Sequence, residues 1–118
     1  MITIDDVAKF LNAEYLIPPL DPDQAVRSCY AADMMSDVLA FAEYDSCLIT
    51  GLMNVQVIRT AEIKDLSCII FTRGKLPKPE LVEMAREKDI CVMISLKSTF
   101  NVCGILYENG LRGSRKNE

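Results

Sequence analysis

From Ser46 to Gly74 the chain reads SCLITGLMNVQVIRTAEIKDLSCIIFTRG. A short apolar run, Cys47 to Ile49, ends in Thr50-Gly51. A helical pattern follows, with Met53, Val57 and Ala61 at spacings of four, and a second apolar run from Cys68 to Phe71 ends in Thr72-Arg73-Gly74. Continuous apolar runs on either side of a helix are the mark of buried parallel strands joined by a crossover. The rhythm returns at Cys91-Val92-Met93-Ile94-Ser95, and the three runs start 21 and 23 residues apart, one β-α unit each. The expected architecture is a three-layer α/β/α domain with a mainly parallel sheet, its runs 47–50, 68–72 and 91–95 central.

Outside this stretch, Thr3 and Asp6 are placed as a capping pair for a first helix with Ile4, Val7, Ala8 and Leu11 on its buried face. Glu14 to Ile17, stopped by Pro18-Pro19, and Ala25 to Tyr30 are short strand candidates. Asp33 or Ser36 is the expected cap of a helix in which Met34 and Val38 line up beside Met35 and Leu39. Pro77 and Pro79 precede and start a helix running through Lys88. Ser98 or Thr99 caps the last helix, read with Phe100, Cys103 and Tyr107 on its buried side and Gly110 as its stop. The basic tail 112–118 reads as a frayed terminus rather than a nucleic-acid arm.

The 118 residues make one domain, 1–118, able to bury about 65% of its unfolded surface. A net charge of −4 repels phosphate backbones, which argues against nucleic acid as a partner. No apolar run reaches the roughly 18 residues that a membrane span requires. Asp5 and Asp6 stand where a signal peptide would be basic, so a cytoplasmic location is expected. The five cysteines lack zinc-like spacing and three open apolar strands, so reduced core thiols are expected and no metal or cofactor. There is no histidine, which excludes Ser-His-Asp and Cys-His nucleophilic sites.

Parallel sheets bind ligands beyond the carboxyl ends of their strands. Here those ends carry Thr50, Gly51 and Asn54, then Thr72, Arg73, Gly74 and Lys75, then Lys97, Ser98 and Thr99. Small hydroxyls, glycines and cations just before helix amino termini suit a small anion or an adenine nucleotide. The bland alternative is that the same residues are caps and turns, since neither a G-x-G-x-x-G nor a Walker motif is present. Asp33 and Asp37, one helical turn apart, are the candidate pair for a small enzyme acting on a phosphorylated metabolite, but no nucleophile accompanies them. The stripe Met34, Met35, Val38 and Leu39 is wide for one helix in a chain that is 50% hydrophobic, and marks a homodimer interface or a seat for a metabolic enzyme.

Asp23, Val26, Tyr30, Asp33, Met34-Met35 and Ser36 fall in register with a family pattern, Asp-Arg-x-x-Thr-Gly-Gly-Tyr followed by x-x-Asp-Leu-Leu-Ser. Asp37-Val38, Leu48-Ile49-Thr50, Asn54-Val55, Ile69-Ile70 to Gly74 with Pro77, and Ser98-Thr99-Phe100 continue the series. On these residues the chain, over about 23–111, resembles the DRTGG domain, similar in fold to the amino-terminal domain of HPr kinase/phosphorylase. The naming motif is altered: Gln24 replaces the family's Arg, Arg27 its Thr, and Ser28-Cys29 its Gly-Gly pair, restricting close approach to the backbone there. The resemblance implies a non-catalytic regulatory module. Such domains sit beside CBS-domain pairs in nucleotide-regulated pyrophosphatases and in phosphotransacetylase-like proteins, where they help to build dimers. Stand-alone versions occur in anaerobic bacteria, often encoded near iron hydrogenases.

Overall fold

The three cysteine-led runs become the centre of a five-stranded sheet. A computed structural model describes residues 1–114. Strands β3 (Cys47–Thr50), β4 (Cys68–Phe71) and β5 (Val92–Ile94) pair in parallel, with Cys47 opposite Cys68 and Ile69 opposite Val92. Strand β2 (Cys29–Ala31) extends the sheet in parallel beside β3, and β1 (Glu14–Ile17) closes the other edge antiparallel to β5. The order is β1-β5-β4-β3-β2. Every residue of β3, β4 and β5 is buried, which is why these strands read as unbroken apolar runs rather than alternating ones.

From β2 to β5 the chain steps one position at a time in one direction. Crossovers of one hand then all fall on the same face. Helices α2 (Met35–Phe41), α3 (Val55–Lys64) and α4 (Pro79–Glu87) cover it, meeting Leu48, Ile69, Phe71, Val92 and Ile94 with Val38, Val57, Ile58, Ala61, Leu81 and Ala85. The opposite face offers Cys47, Ile49, Cys68, Ile70, Cys91 and Met93. It is covered by the first and last helices, α1 (Ile4–Leu11) and α5 (Thr99–Glu108). This is the expected three-layer arrangement.

The capping pair forms as read: Asp6 N donates to Thr3 Oγ1 at 3.1 Å and Thr3 N to Asp6 Oδ2 at 3.0 Å. Ser98 caps α5 and Pro79 opens α4. Four expectations need correction. The strand placed at 25–30 is Cys29–Ala31; Ala25 only bridges Thr3, because Val26 N bonds to Ile2 O beneath α1. Helix α2 starts after Met34 with no side-chain cap, Asp33 being engaged elsewhere. Helix α5 buries Val102 and Leu106, not Phe100 and Tyr107. Apolar residues surround that helix, and the slimmer aliphatic pair fits the gap against α1 while the aromatic rings turn out. The tail expected to fray begins docked, since Cys29 N bonds to Arg112 O at 2.9 Å and Gly113 bridges Cys29; residues 115–118 lie outside the described residues.

Phe71 heads the largest fully buried side chains, on a strand flanked by two others. We expect Phe71→Ala to lower the unfolding free energy by about 3–5 kcal/mol in a urea titration. A loss below about 1 kcal/mol would show that the site is not close-packed.

Candidate functional site

The polar residues at the carboxyl ends of the strands are drawn together by one carboxylate. Asp33, just beyond β2, accepts from Thr50 Oγ1 at 2.8 Å and from Gly51 N at 3.0 Å, so it ties the end of β2 to the end of β3. Thr50 Oγ1 in turn accepts from Leu52 N at 3.1 Å. The Gly51 amide, then the Thr50 hydroxyl, and at longer range Arg73 and Lys75, hold the Asp33 carboxyl below its ordinary value. A Cβ on Gly51 would lie 3.6 Å from a guanidinium nitrogen of Arg73 and 3.8 Å from Thr72 Oγ1. Thr50, Gly51, Thr72 and Arg73 therefore meet beside Asp33. The Thr72 hydroxyl reaches Thr99 at 2.7 Å, joining the end of β4 to the first turn of α5.

The next layer is a clasp between the loops after β4 and β5. Arg73 N donates to Lys97 O and Gly74 N to Ser95 O, both at 2.8 Å. The clasp requires left-handed backbone at both residues, each with φ +66°. Gly74 alone suits it: a Cβ there would sit 3.0 Å from Leu96 Cδ2. Arg73 is strained by about 1–2 kcal/mol in the same conformation. Its amide bond holds it there and its guanidinium lies over Gly51.

Two expected site residues have structural tasks. Asn54 accepts from Gln56 N as the cap of α3, and lines a separate cleft of about 230 Å³ with Lys78 and Glu80. Ser98 accepts from Asn101 N as the cap of α5. Lys97 Nζ donates to Leu11 O at 3.0 Å, a cation at the carboxyl end of α1, and so faces away from a ligand at the strand ends. Sequence reasoning placed Asp33 in the wrong task, since an acid just before a helix looks like a cap. The register of Asp33 with an Asp of the family pattern was the available signal.

The α2 stripe divides. Val38 is fully buried in the core and Met35 half-buried against it, whereas Met34 is 64% and Leu39 41% exposed. Val38 is thus closed to any partner. Asp37 shares no bond with Asp33, whose oxygen is taken by Thr50 and Gly51. On the far face Cys47 Sγ and Cys68 Sγ lie 2.8 Å apart, and hydrogen bonding to Cys47 and Cys91, with burial, pushes the Cys68 thiol up. Among the described residues no group of three or more His, Cys, Asp or Glu is placed to share a metal ion, and no helix is long and apolar enough to cross a membrane.

Removing the Asp33 charge tests the tie between strand ends. Because the native carboxyl ionises below 3.8, it binds fewer protons than the unfolded one, and its contribution is full above that value and lost as pH falls through the native one. Asp33→Asn should therefore be less stable than the parent by about 1 kcal/mol at neutral pH, after discounting for solvent at an exposed group. In urea titrations the gap should close as pH falls through the lowered value of the native carboxyl. A gap that stays constant with pH would show that the charge contributes nothing.

The DRTGG domain family matches residues 6–108, from within α1 to the end of α5 and well ahead of the expected start near residue 23. No curated protein matches the chain. Among solved structures, the CBS and DRTGG domains of the regulatory region of Clostridium perfringens pyrophosphatase, complexed with the activator diadenosine tetraphosphate, are similar at a TM-score of 0.72 and 17% identity. That likeness covers 97% of this chain and 51% of the pyrophosphatase chain, so the present chain spans about half that structure's length, and it speaks for the fold. With a family match over nearly the whole described chain, the protein belongs to the DRTGG domain family.

Proposed function

We propose that the chain is a non-catalytic regulatory and assembly module whose working surface is the carboxyl edge of the sheet. The observation that carries this reading is a contrast at that edge. The hydroxyls and the carboxylate are bonded to one another, while large apolar side chains stand open: Leu76 is 77%, Leu96 86% and Phe100 84% exposed. Leu76 and Leu96 come from the loops after the neighbouring strands β4 and β5, Phe100 from the first turn of α5, and Arg73 and Lys75 are exposed with them. Apolar anchors around cations suit the capture of a ligand or partner.

The ligand we propose is an adenine nucleotide or another small anion. Its charge would meet Arg73 and Lys75 near Thr50, Gly51, Thr72, Gly74 and Thr99, with Asn54 and Ser98 at the adjoining helix starts and its base against the apolar side chains. Each exposed cation or helix start favours an anion by about 0.3–1 kcal/mol, so the apolar contact must supply the rest. The pyrophosphatase regulatory region with its diadenosine tetraphosphate supports that choice of ligand. Dimerisation through Met34 and Leu39 on α2, with Met35 behind them, is the assembly half of the proposal, a metabolic enzyme being the other candidate for that surface. The enzyme reading has less behind it. A carboxyl held below its usual value is a poor general acid or base near neutrality, and that is the state of Asp33.

A thermal-shift panel of AMP, ADP, ATP, diadenosine tetraphosphate and phosphate tests the ligand. A nucleotide at 100 times its dissociation constant adds about 2.7 kcal/mol and raises the melting temperature by several degrees. The shift should vanish in the Arg73→Ala, Lys75→Ala double variant; no shift with any compound at millimolar concentration rejects the ligand. Light scattering should give twice the 13.2 kDa chain mass, reduced to one by Met34→Glu with Leu39→Glu. Phosphatase, kinase or nucleotide hydrolase turnover abolished by Asp33→Ala or Asp37→Ala would overturn the module reading.

A further inference from the structure

At the opposite edge of the sheet, below the amino ends of β2 and β3, lies a cavity of about 520 Å³, a size usual for metabolite sites. Its walls come from three places that the fold brings together: the segment Val26 to Ser28, Glu43 after α2, and the turn Gly110 to Gly113 after α5. Ile2 and Leu111 supply apolar surface. The turn contains two glycines, one with φ +104°, so backbone can come close to an occupant.

Behind the wall that Ser28 lines lies an unmet polar group. Ser28 is 3% exposed, and its hydroxyl is the one buried side-chain oxygen or nitrogen without a hydrogen-bond partner among the described residues. Its backbone is used by the sheet, Ser28 O accepting from Cys47 N at 3.0 Å, so the side chain is fixed at the wall. A buried hydroxyl without a partner is destabilising, and a bound group would relieve it. This hydroxyl stands where the family pattern has glycine, so it belongs to this chain and not to the pattern.

Two guanidinium groups are held at the same walls. Arg27 lies 4.2 Å over the Tyr44 ring, with one nitrogen on Glu43 Oε2 at 3.2 Å and another on the Tyr44 hydroxyl. Arg112 lies 3.8 Å over the Tyr107 ring, with one nitrogen shared between Tyr107 O and Leu111 O. Each guanidinium has five donors in a rigid fork, and these bonds engage only part of them. Two cations against the one carboxylate of Glu43 leave the walls net positive in a chain of net charge −4.

We infer that this cavity is a second ligand site, distinct from the strand-end surface, for a small anionic metabolite. A carboxylate or phosphate group meets Arg27 and Arg112, and a hydrogen-bonding group on its body meets the Ser28 hydroxyl. The site stands whether or not a nucleotide binds at the other edge.

The test is an amide ¹H–¹⁵N titration of the full chain with inorganic phosphate, 3-phosphoglycerate, citrate and malonate as separate probes. At least one probe should give saturable shifts centred on Arg27, Ser28, Gly110 and Gly113, and the phosphate and carboxylate arms tell which anion is preferred. Arg112→Gln should weaken that probe about tenfold. Ser28→Ala should raise the melting temperature of the free protein, by removing the unmet hydroxyl, and yet weaken the probe severalfold. No saturable shift with any probe at millimolar concentration overturns the inference. So do shifts centred on Gly51 and Gly74, or binding that both variants leave unchanged.

Discussion

Everything in this molecule follows from three short strands that must be hidden on both faces. The ten apolar side chains on β3, β4 and β5 alternate between the two faces of the sheet, so a single layer of helices cannot cover them. The crossovers α2, α3 and α4 take one face because they are the crossovers. The other face is left for the two ends of the chain, α1 and α5. That division makes the far face the place where sequence-distant segments meet, including Lys97 with Leu11 and Cys29 with Gly113.

The same constraint sorts the polar residues. Thr50, Thr72 and Ser95 end buried strands and are themselves buried, so their hydroxyls must find partners close by. They find Asp33, Thr99 and the Lys97 amide. The strand ends are thereby tied to one another and to the start of α5. The groups that remain open to solvent there are the ones too long or too apolar to be absorbed, Leu76, Leu96 and Phe100 with Arg73 and Lys75.

What could be seen in the residues was whatever is decided locally. Continuous runs such as Cys68 to Phe71 announce burial on both faces, and the Thr3–Asp6 pair announces a helix start, because both depend on neighbours within four positions. The phase of α5 was hidden, since Phe100, Val102, Cys103, Leu106 and Tyr107 are all apolar and only the space against α1 decides which go in. Asp33 looked like a cap because its real partners, Thr50 and Gly51, are brought to it by strand pairing. Lys97 looked like a ligand cation for the same reason: nothing nearby in sequence reveals the carbonyl of Leu11. The cavity at Ser28 gave no signal beyond the altered family motif, because its walls are assembled from both ends of the chain.

The docking of Arg112 and Gly113 against Cys29 has a bearing on the open side of the sheet. Strand β2 ends the parallel side of the sheet, and an uncovered terminal strand is a template on which a foreign strand can add. Here a single bridged residue and one 2.9 Å amide bond serve as the guard rail. Because that rail is anchored through Leu111 in the core, the last helix and the exposed border of the sheet are mechanically one piece. Peeling the carboxyl segment away would uncover the open border of β2, so the covering of that border is lodged in three residues beyond the final helix.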